Sequence, residues 1–507
     1  AIRAVEEGMA RYNLDGILIN WWGNHLHNSY IGLTDGICHC ESCKKKWAGF
    51  SDKPLPSEPT PVYNTWHNKI KSDLEQRIQA MVDKYNKNTA LILFHLTGNR
   101  ETLEGFTTET KTGPLTNEWW LYQSSYYVNK YRNSHPDKGT FNTVVNFIEM
   151  NYRFAPHRSL VNKTRMLQSM AHGTFPSFYM IGMPGQYDTT GAASIYYPFE
   201  VHRKNEKYFV HQQSVAEVVV TDDMLSENMK GMVNILSESH IPHRIVLPGK
   251  IKDHLNGTRL FIATSEIPDD LLEAVSQGKN LIVIGNTPPE IFAGDVVGHV
   301  TAKDMNRSYW SVDDRKIFPQ TSRLKVIYNA SDYTELKGDP SASLRLIPPA
   351  MSSPPELAGN GMKVSDKPGL VIRKYGKGNI AYVPWNAGAM YSSQAPASIR
   401  LLFNELTDHF INGERQVITD AHPLVEITLM QNTDQDALLL HMINNTGQLH
   451  GSNDKLIPFH DLNFKIRGEF KKVTWPGGKT IVSRIENGYT HFTVERLDAY
   501  NFVVLKR

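Results

Sequence analysis

Two glutamates stand where strand-like apolar runs end: Glu109 closes Phe106-Thr-Thr-Glu109, and Glu149 closes Val145-Asn-Phe-Ile-Glu149. Two carboxyl groups that meet, one protonated and one ionised, can protonate a leaving group while the other attacks or activates water. That is the chemistry of glycosidic cleavage. Arg153, four residues beyond Glu149, is a cation suited to keeping that carboxyl ionised. The plainer reading of each glutamate is a salt-bridged structural carboxylate.

A second cluster is made of sulfur. The chain has 3 Cys, and all of them, Cys38, Cys40 and Cys43, fall within one short loop. A disulfide framework needs pairs spread along the chain, so none is expected here. Thiolates at this spacing can converge on a tetrahedral zinc ion, but a closed structural site takes four ligands. His25, His27 and His39 are the nearby candidates for the fourth. The alternative is three reduced thiols in a packed loop. Any zinc here is structural, and no cofactor for catalysis is implied.

Aromatic and imidazole side chains gather after the same apolar runs. Asn20, Trp21, Trp22, His25 and His27 follow one of them. Trp119, Trp120 and Tyr122 lie beyond Glu109, and Tyr187 and Asp188 follow a later run. Indole faces stack on the C–H faces of pyranoses. Core packing is the competing expectation, and it is the stronger one for Trp119 and Trp120.

Elements that alternate helix and strand periods must carry these residues. Residues 1–12 read as a helix and 15–20 as a buried strand. A long helix follows over 62–85, then strands at 90–95 and 106–109, a helix over 118–131 and a strand at 143–149. A helix over 160–172 and a strand at 178–182 complete the series. Successive βα units imply a parallel sheet buried on both faces. Five strands are fewer than the eight that close a barrel, so the remaining three are expected upstream of Ala1. The chain opens without Met inside a helical pattern of Ile2, Val5 and Met9.

The pattern resets near Ala216 into a second α/β region, with strands at 217–220, 243–246, 259–263, 280–284 and 378–384. Its short crossovers suit a flavodoxin-like or amidotransferase-like sheet. The Pro- and Ser-rich stretch 286–365 reads as irregular insertion. After Gln416, short alternating runs broken by Asn444-Asn-Thr-Gly447 and Pro476-Gly-Gly478 predict a small antiparallel sandwich. With 507 residues, three domains are expected: 1–212, 213–414 and 415–507.

Composition excludes some partners. The 54 basic and 52 acidic residues leave a net charge of +2, so no global field attracts nucleic acid. No run approaches the ~20 apolar residues of a membrane span. Compartment is unreadable, because a targeting segment would lie upstream of this opening.

Asn20-Trp-Trp-Gly23, Asp35-Gly-Ile-Cys-His-Cys-Glu-Ser-Cys43 and Lys44-Lys-Lys-Trp47 together resemble the group-6 type of hypothetical glycoside hydrolases, relatives of the family 42 β-galactosidases. Asn151-Tyr-Arg-Phe-Ala155, Gln168-Ser-Met-Ala-His-Gly173 and Gly376-Lys-Gly-Asn-Ile-Ala-Tyr-Val383 are similar to that family too. The resemblance implies an N-terminally truncated α/β chain: a partial TIM (β/α) barrel, a trimerisation-like α/β domain and a β-sandwich. It implies Glu149 on the seventh barrel strand as nucleophile, Glu109 on the sixth as acid/base, and a trimer or dimer. It also implies a fourth zinc-binding Cys upstream.

The implied substrate is a terminal galactoside or fucoside, cleaved with retention. The chain departs from the family at the fourth strand, where Asn20-Trp21 replaces an Asn-Glu pair. Either Glu109 has taken over as the acid, or the protein binds glycans through Trp21, Trp22 and the histidines without cutting them. A purely structural subunit is the third class, and it would lack a hollow at the strand ends.

Overall fold

The computed structural model describes residues 2–20, 26–28, 33–94, 105–110, 120–149, 152–181, 188–193, 195–264, 267–349, 354, 356, 363–447 and 455–507. The chain divides into two compact units. The first comprises Ala1–Met170, Thr174–Lys204 and Gln448–Asp454, and the second Ala171–Gly173, Asn205–Gly447 and Lys455–Arg507. No helix among the described residues is long and apolar enough to cross a membrane.

The first unit is built on one parallel sheet. Its strands are β1 (Gly16–Ile19), β2 (Ala90–Phe94), β3 (Gly105–Thr110), β4 (Gly139–Val145) and β5 (Ser177–Tyr179), and their order in space is their order in the chain. The helices are α1 (Ile2–Arg11), α2 (Glu41–Ala48), α3 (Pro61–Tyr85), α4 (Gln123–Ser134), α5 (Ser159–Ala171) and α6 (Tyr196–Phe209), the last running past the unit boundary. Helix α3 starts as its sequence dictates: Pro61 takes the first position and the Thr60 hydroxyl accepts from the Tyr63 amide. The Ile2, Val5 and Met9 stripe of α1 packs with Ile78 and Val82 of α3 against Ile17 and Leu91.

A buried amide fixes the middle of this sheet. Asn142, wholly buried, accepts through Oδ1 from the hydroxyls of Thr108 and Thr110, each at 3.0 Å. Its Nδ2 donates to Ser124 of α4 at 3.3 Å and Ser169 of α5 at 3.2 Å. These bonds turn Thr108, Thr110 and Asn142 towards the helices. Strand alternation then sends Glu109 and Thr143 to the opposite face.

One expected boundary is wrong. The strand read over 143–149 is β4, Gly139–Val145, so Glu149 does not close it. Pairing with β3 starts at Gly139, opposite Gly105, and the chain leaves the sheet at Asn146 to form a hairpin. The apolar residues Phe147 and Ile148 extend the run in sequence but pair with Pro156 and Ala155 instead.

The second unit contains a nine-stranded sheet. Its first five strands are parallel, in the spatial order His243–Val246, Val218–Thr221, Leu260–Ala263, Asn280–Ile284 and Gly378–Val383. This is the 2-1-3-4-5 order of flavodoxin-like sheets. The stretch expected to be irregular is instead partly strand. Pro368–Tyr375 continues the sheet antiparallel, and Leu344–Ile347, Ser308–Val312 and Val326–Asn329, all within 286–365, extend it. Its prolines sit between short strands, while Trp310, Tyr333 and Trp385 form a fully buried core.

Helix Glu227–Glu238 meets helix Ala387–Gln394 at two glycines. A Cβ on Gly231 would collide with the Gly388 carbonyl oxygen and lie 2.8 Å from the Gly388 Cα. Gly231→Ala is therefore expected to cost about 1–3 kcal/mol, read as an earlier midpoint in urea unfolding.

The last part of the second unit is all β. One sheet holds Lys472–Thr474, Tyr500–Lys506, Ala437–Asn444, Val425–Asn432 and Gln212–Ser214; the other holds Val417–Thr419, Phe459–Arg467, Tyr489–Leu497 and Ser483–Glu486. Leu440, Met442 and Val503 of one sheet share a core with Leu462, Phe464 and Val494 of the other, as a sandwich requires.

Two buried histidines accompany these sheets. His441 lies between the Tyr500 hydroxyl at 2.7 Å and Gln212 Oε1 at 3.0 Å, and burial pushes it down to about 3. His240 Nε2 faces the His422 carbonyl at 3.2 Å, and burial likewise brings it down to about 4.

Candidate functional site

The C-terminal end of the parallel sheet collects the residues with chemistry. Glu109 is the penultimate residue of β3 and is half-buried. In register it stands beside Thr143 of β4, which stands beside Ser177 of β5, and the Thr143 and Ser177 hydroxyls meet at 3.2 Å. A polar row thus crosses three strands on the face that Asn142 does not occupy.

Glu149 follows β4 on a hairpin. Asn146 opens it, with its amide donating to Tyr179 O at 2.9 Å and its carbonyl accepting from His157 N at 2.5 Å. Ile148 N donates to Ala155 O at 2.9 Å, and a turn is closed by Tyr152 N on Glu149 O at 2.8 Å. Glu149 and Arg153 are both half-buried. The Arg153 guanidinium lies 5.8 Å from the centre of the Phe154 ring.

Sequence reasoning passed over two neighbours on this hairpin. Tyr152 and Phe154 flank Arg153 and are 55% and 50% exposed, unusual for aromatic residues so near a buried strand end. Their types and spacing stand in the sequence, but their exposure is set by the way the hairpin leaves the sheet.

The remaining expected residues divide three ways. Asn20 directly follows β1 and is exposed at the strand's C-terminal end. Asp188 is exposed, and its Oδ1 accepts from the Thr190 hydroxyl at 2.6 Å and the Thr190 amide at 2.9 Å. Those bonds hold its carboxyl below the usual range. Trp21, Trp22, His25, Trp119 and Tyr187 lie outside the described residues, and so does the side chain of His27. Trp120 and Tyr122 are both buried, and Trp120 packs on Tyr126 with ring centres 5.5 Å apart, the core packing that was the stronger expectation for Trp120. They are core residues at the start of α4 rather than a sugar platform.

The cysteine loop folds as a cluster. The sulfurs of Cys38, Cys40 and Cys43 lie within 4.8 Å of one another, and no other His, Cys, Asp or Glu among the described residues joins them. His39 thus stays out of the group. Cys40 sits at the start of α2, and the Cys43 backbone amide, then the Cys38 and Cys43 thiols, bring it down to about 7. Burial, then the neighbouring thiols, push Cys43 up to about 12. Cys43 is held by a box of Ile37, Trp47, Tyr63 and Trp66, with Trp47 edge-on to Trp66 at 5.2 Å. Three converging thiols on a packed base suit a soft, tetrahedral ion.

No protein-family model matches the chain, and no curated protein matches its sequence. Solved structures do match its fold. An α-L-fucosidase, isoenzyme 2 from Paenibacillus thiaminolyticus, superposes with a TM-score of 0.75 at 16% identity, covering 100% of this chain and 79% of that one. A β-galactosidase from Bacillus circulans sp. alkalophilus gives 0.63 at 11% identity, covering 100% and 81%. A GH42 β-galactosidase from G. stearothermophilus gives 0.62 at 11% identity, covering 93% and 76%. In fold, this chain stands with the GH42 β-galactosidases and that α-L-fucosidase.

Proposed function

We propose that this chain is part of a retaining glycoside hydrolase acting on terminal galactoside or fucoside residues. Its first unit supplies five strands of a (β/α) barrel. Glu149 is the nucleophile and Glu109 the acid/base. One observation carries the reading: Glu109 stands half-buried at the C-terminal end of a parallel strand, on the face opposite the one where Asn142 meets α4 and α5. Sheets of sequential order place their catalytic groups at that end.

In the first step the Glu149 carboxylate attacks the anomeric carbon as the glycosidic C–O bond breaks. The departing oxygen takes the Glu109 proton. Glu109, now ionised, then draws a proton from water, which displaces Glu149 and restores both groups. Asn20, Trp21, Trp22, His25, Arg153, Tyr187 and Asp188 surround the sugar, and Tyr152 and Phe154 offer it stacking faces.

The test is turnover of nitrophenyl galactosides and fucosides by the full-length protein beside its Glu109→Gln and Glu149→Gln variants. Unchanged turnover in both variants would remove the assignment. The exposed Asn20 favours a second reading, glycan binding without cleavage, because no carboxylate stands there. That reading predicts oligosaccharide binding with no release of nitrophenol from any substrate.

Zinc belongs to the same proposal as a structural ion held by Cys38, Cys40 and Cys43, with a fourth ligand from outside the described residues. It would tie the start of α2 to the aromatic box on α3. Elemental analysis is expected to find one zinc per chain, and Cys43→Ser to lose it with a lower melting temperature. Zinc-free protein of unchanged stability would leave three packed thiols. Sedimentation would test the trimer or dimer that the family likeness implies.

A further inference from the structure

We infer that Asn162 is a positioning residue, holding the hairpin that carries Glu149 in register with the sheet. The inference rests on the proposed role of Glu149. The hairpin is defined at its base, where the Asn146 carbonyl accepts from His157 N at 2.5 Å and the pairings Phe147–Pro156 and Ile148–Ala155 follow. That base is gripped from two sides. From α5, the wholly buried Asn162 donates through Nδ2 to Asn146 Oδ1 at 2.8 Å. The same nitrogen donates its other proton to the Gly191 carbonyl at 3.0 Å. One amide therefore joins the first residue of the hairpin to the segment that follows β5.

The grip closes through Gly191, where only hydrogen fits. A Cβ there would collide with Asn146 Oδ1 and stand 2.6 Å from the His157 carbonyl and 2.7 Å from the Pro156 Cβ. These contacts reach both ends of the hairpin, Asn146 and Pro156–His157, at once. Asn146 is itself buried, so removing its donor leaves an unpaired acceptor that would pull the base open. Shifting a nucleophile by about 1 Å can cost roughly 100-fold in rate.

The experiment combines Asn162→Ala, Gly191→Ala and Glu149→Gln in the full-length protein, with turnover of an aryl glycoside as the readout. Asn162→Ala and Gly191→Ala are expected to lower kcat roughly 100-fold. Amide exchange at Ile148 and His157 should quicken, while exchange in α4 stays unchanged. If Asn162 acts through Glu149, the two losses do not multiply. On the Glu149→Gln background, Asn162→Ala should change the residual rate by less than about twofold. Losses that multiply would overturn the inference, and so would an Asn162→Ala protein of wild-type turnover beside an inactive Glu149→Gln. Full activity in Glu149→Gln would instead overturn the functional reading and take this inference with it. Should Gly191→Ala fail to fold, Asn162→Ala alone decides.

Discussion

Glu149→Gln is expected to cut turnover of every aryl glycoside to a small residual rate, whatever its leaving group, whereas Glu109→Gln is expected to lose rate in proportion to leaving-group basicity. The two roles predict this difference. A nucleophile makes the bond that defines the intermediate, and its amide cannot replace it. A general acid contributes roughly 10²–10⁴-fold, and that help matters less as the leaving group becomes able to depart unprotonated. A plot of log kcat/KM against leaving-group pKa should therefore steepen in Glu109→Gln, with the activated dinitrophenyl substrates recovering most of the loss. Azide, which needs no general base, should restore turnover of those substrates in Glu109→Gln by forming the glycosyl azide. If the variants exchange these signatures, the residues exchange roles. If both variants follow the wild-type line, neither group touches the reaction.

The second large effect concerns acid. His441 and His240 are pushed down to about 3 and about 4 by burial, whereas an unfolded chain returns each to its ordinary value near 6.5. The unfolded state therefore binds protons that the folded state refuses. With folded values depressed, the contribution is complete above pH 6.5 and is lost as pH falls towards 4. His243 is likewise brought down to about 4 by burial, and three such rings give a slope of about 4 kcal/mol per pH unit near pH 5. Urea unfolding of the second unit, followed from pH 7 to pH 4.5, should show this decline. His441→Asn should lower stability at pH 7 and reduce the slope by about a third. A flat profile would mean that these rings take up protons in the folded protein.

Much of the architecture is legible in the sequence because burial writes a period into it. Ile2, Val5 and Met9 mark α1, and the apolar runs at 90–94 and 281–284 mark parallel strands, the second buried along its whole length. The errors have the same physical origin. Phe147 and Ile148 continue the apolar run of β4, but apolar character does not say which partner a strand takes, and here the partner is the hairpin's own return limb. The stretch 286–365 hides short antiparallel strands because residues that alternate over only four or five positions resemble loops when proline stands between them. Glu109 is readable as a strand-end acid. Tyr152 and Phe154 are not singled out, because exposure is decided by how the hairpin leaves the sheet, and that depends on Asn162 and Gly191 from later in the chain.

Asn142 has one more consequence, for how the chain finds its alignment. The neighbouring strands β3 and β4 could slide past one another by a single residue with little loss of backbone hydrogen bonding, and such a slip inverts which side chains point where. It would drive the Glu109 carboxylate among the helices and turn Thr110 outwards. The slipped arrangement leaves the Asn142 oxygen sealed away from water without the Thr108 and Thr110 hydroxyls that donate to it, and set against Thr107 and the Glu109 carboxylate instead. A single asparagine thus acts as a key that only one alignment of lock and bolt will admit, and the acid's outward orientation is settled during folding, before any sugar arrives.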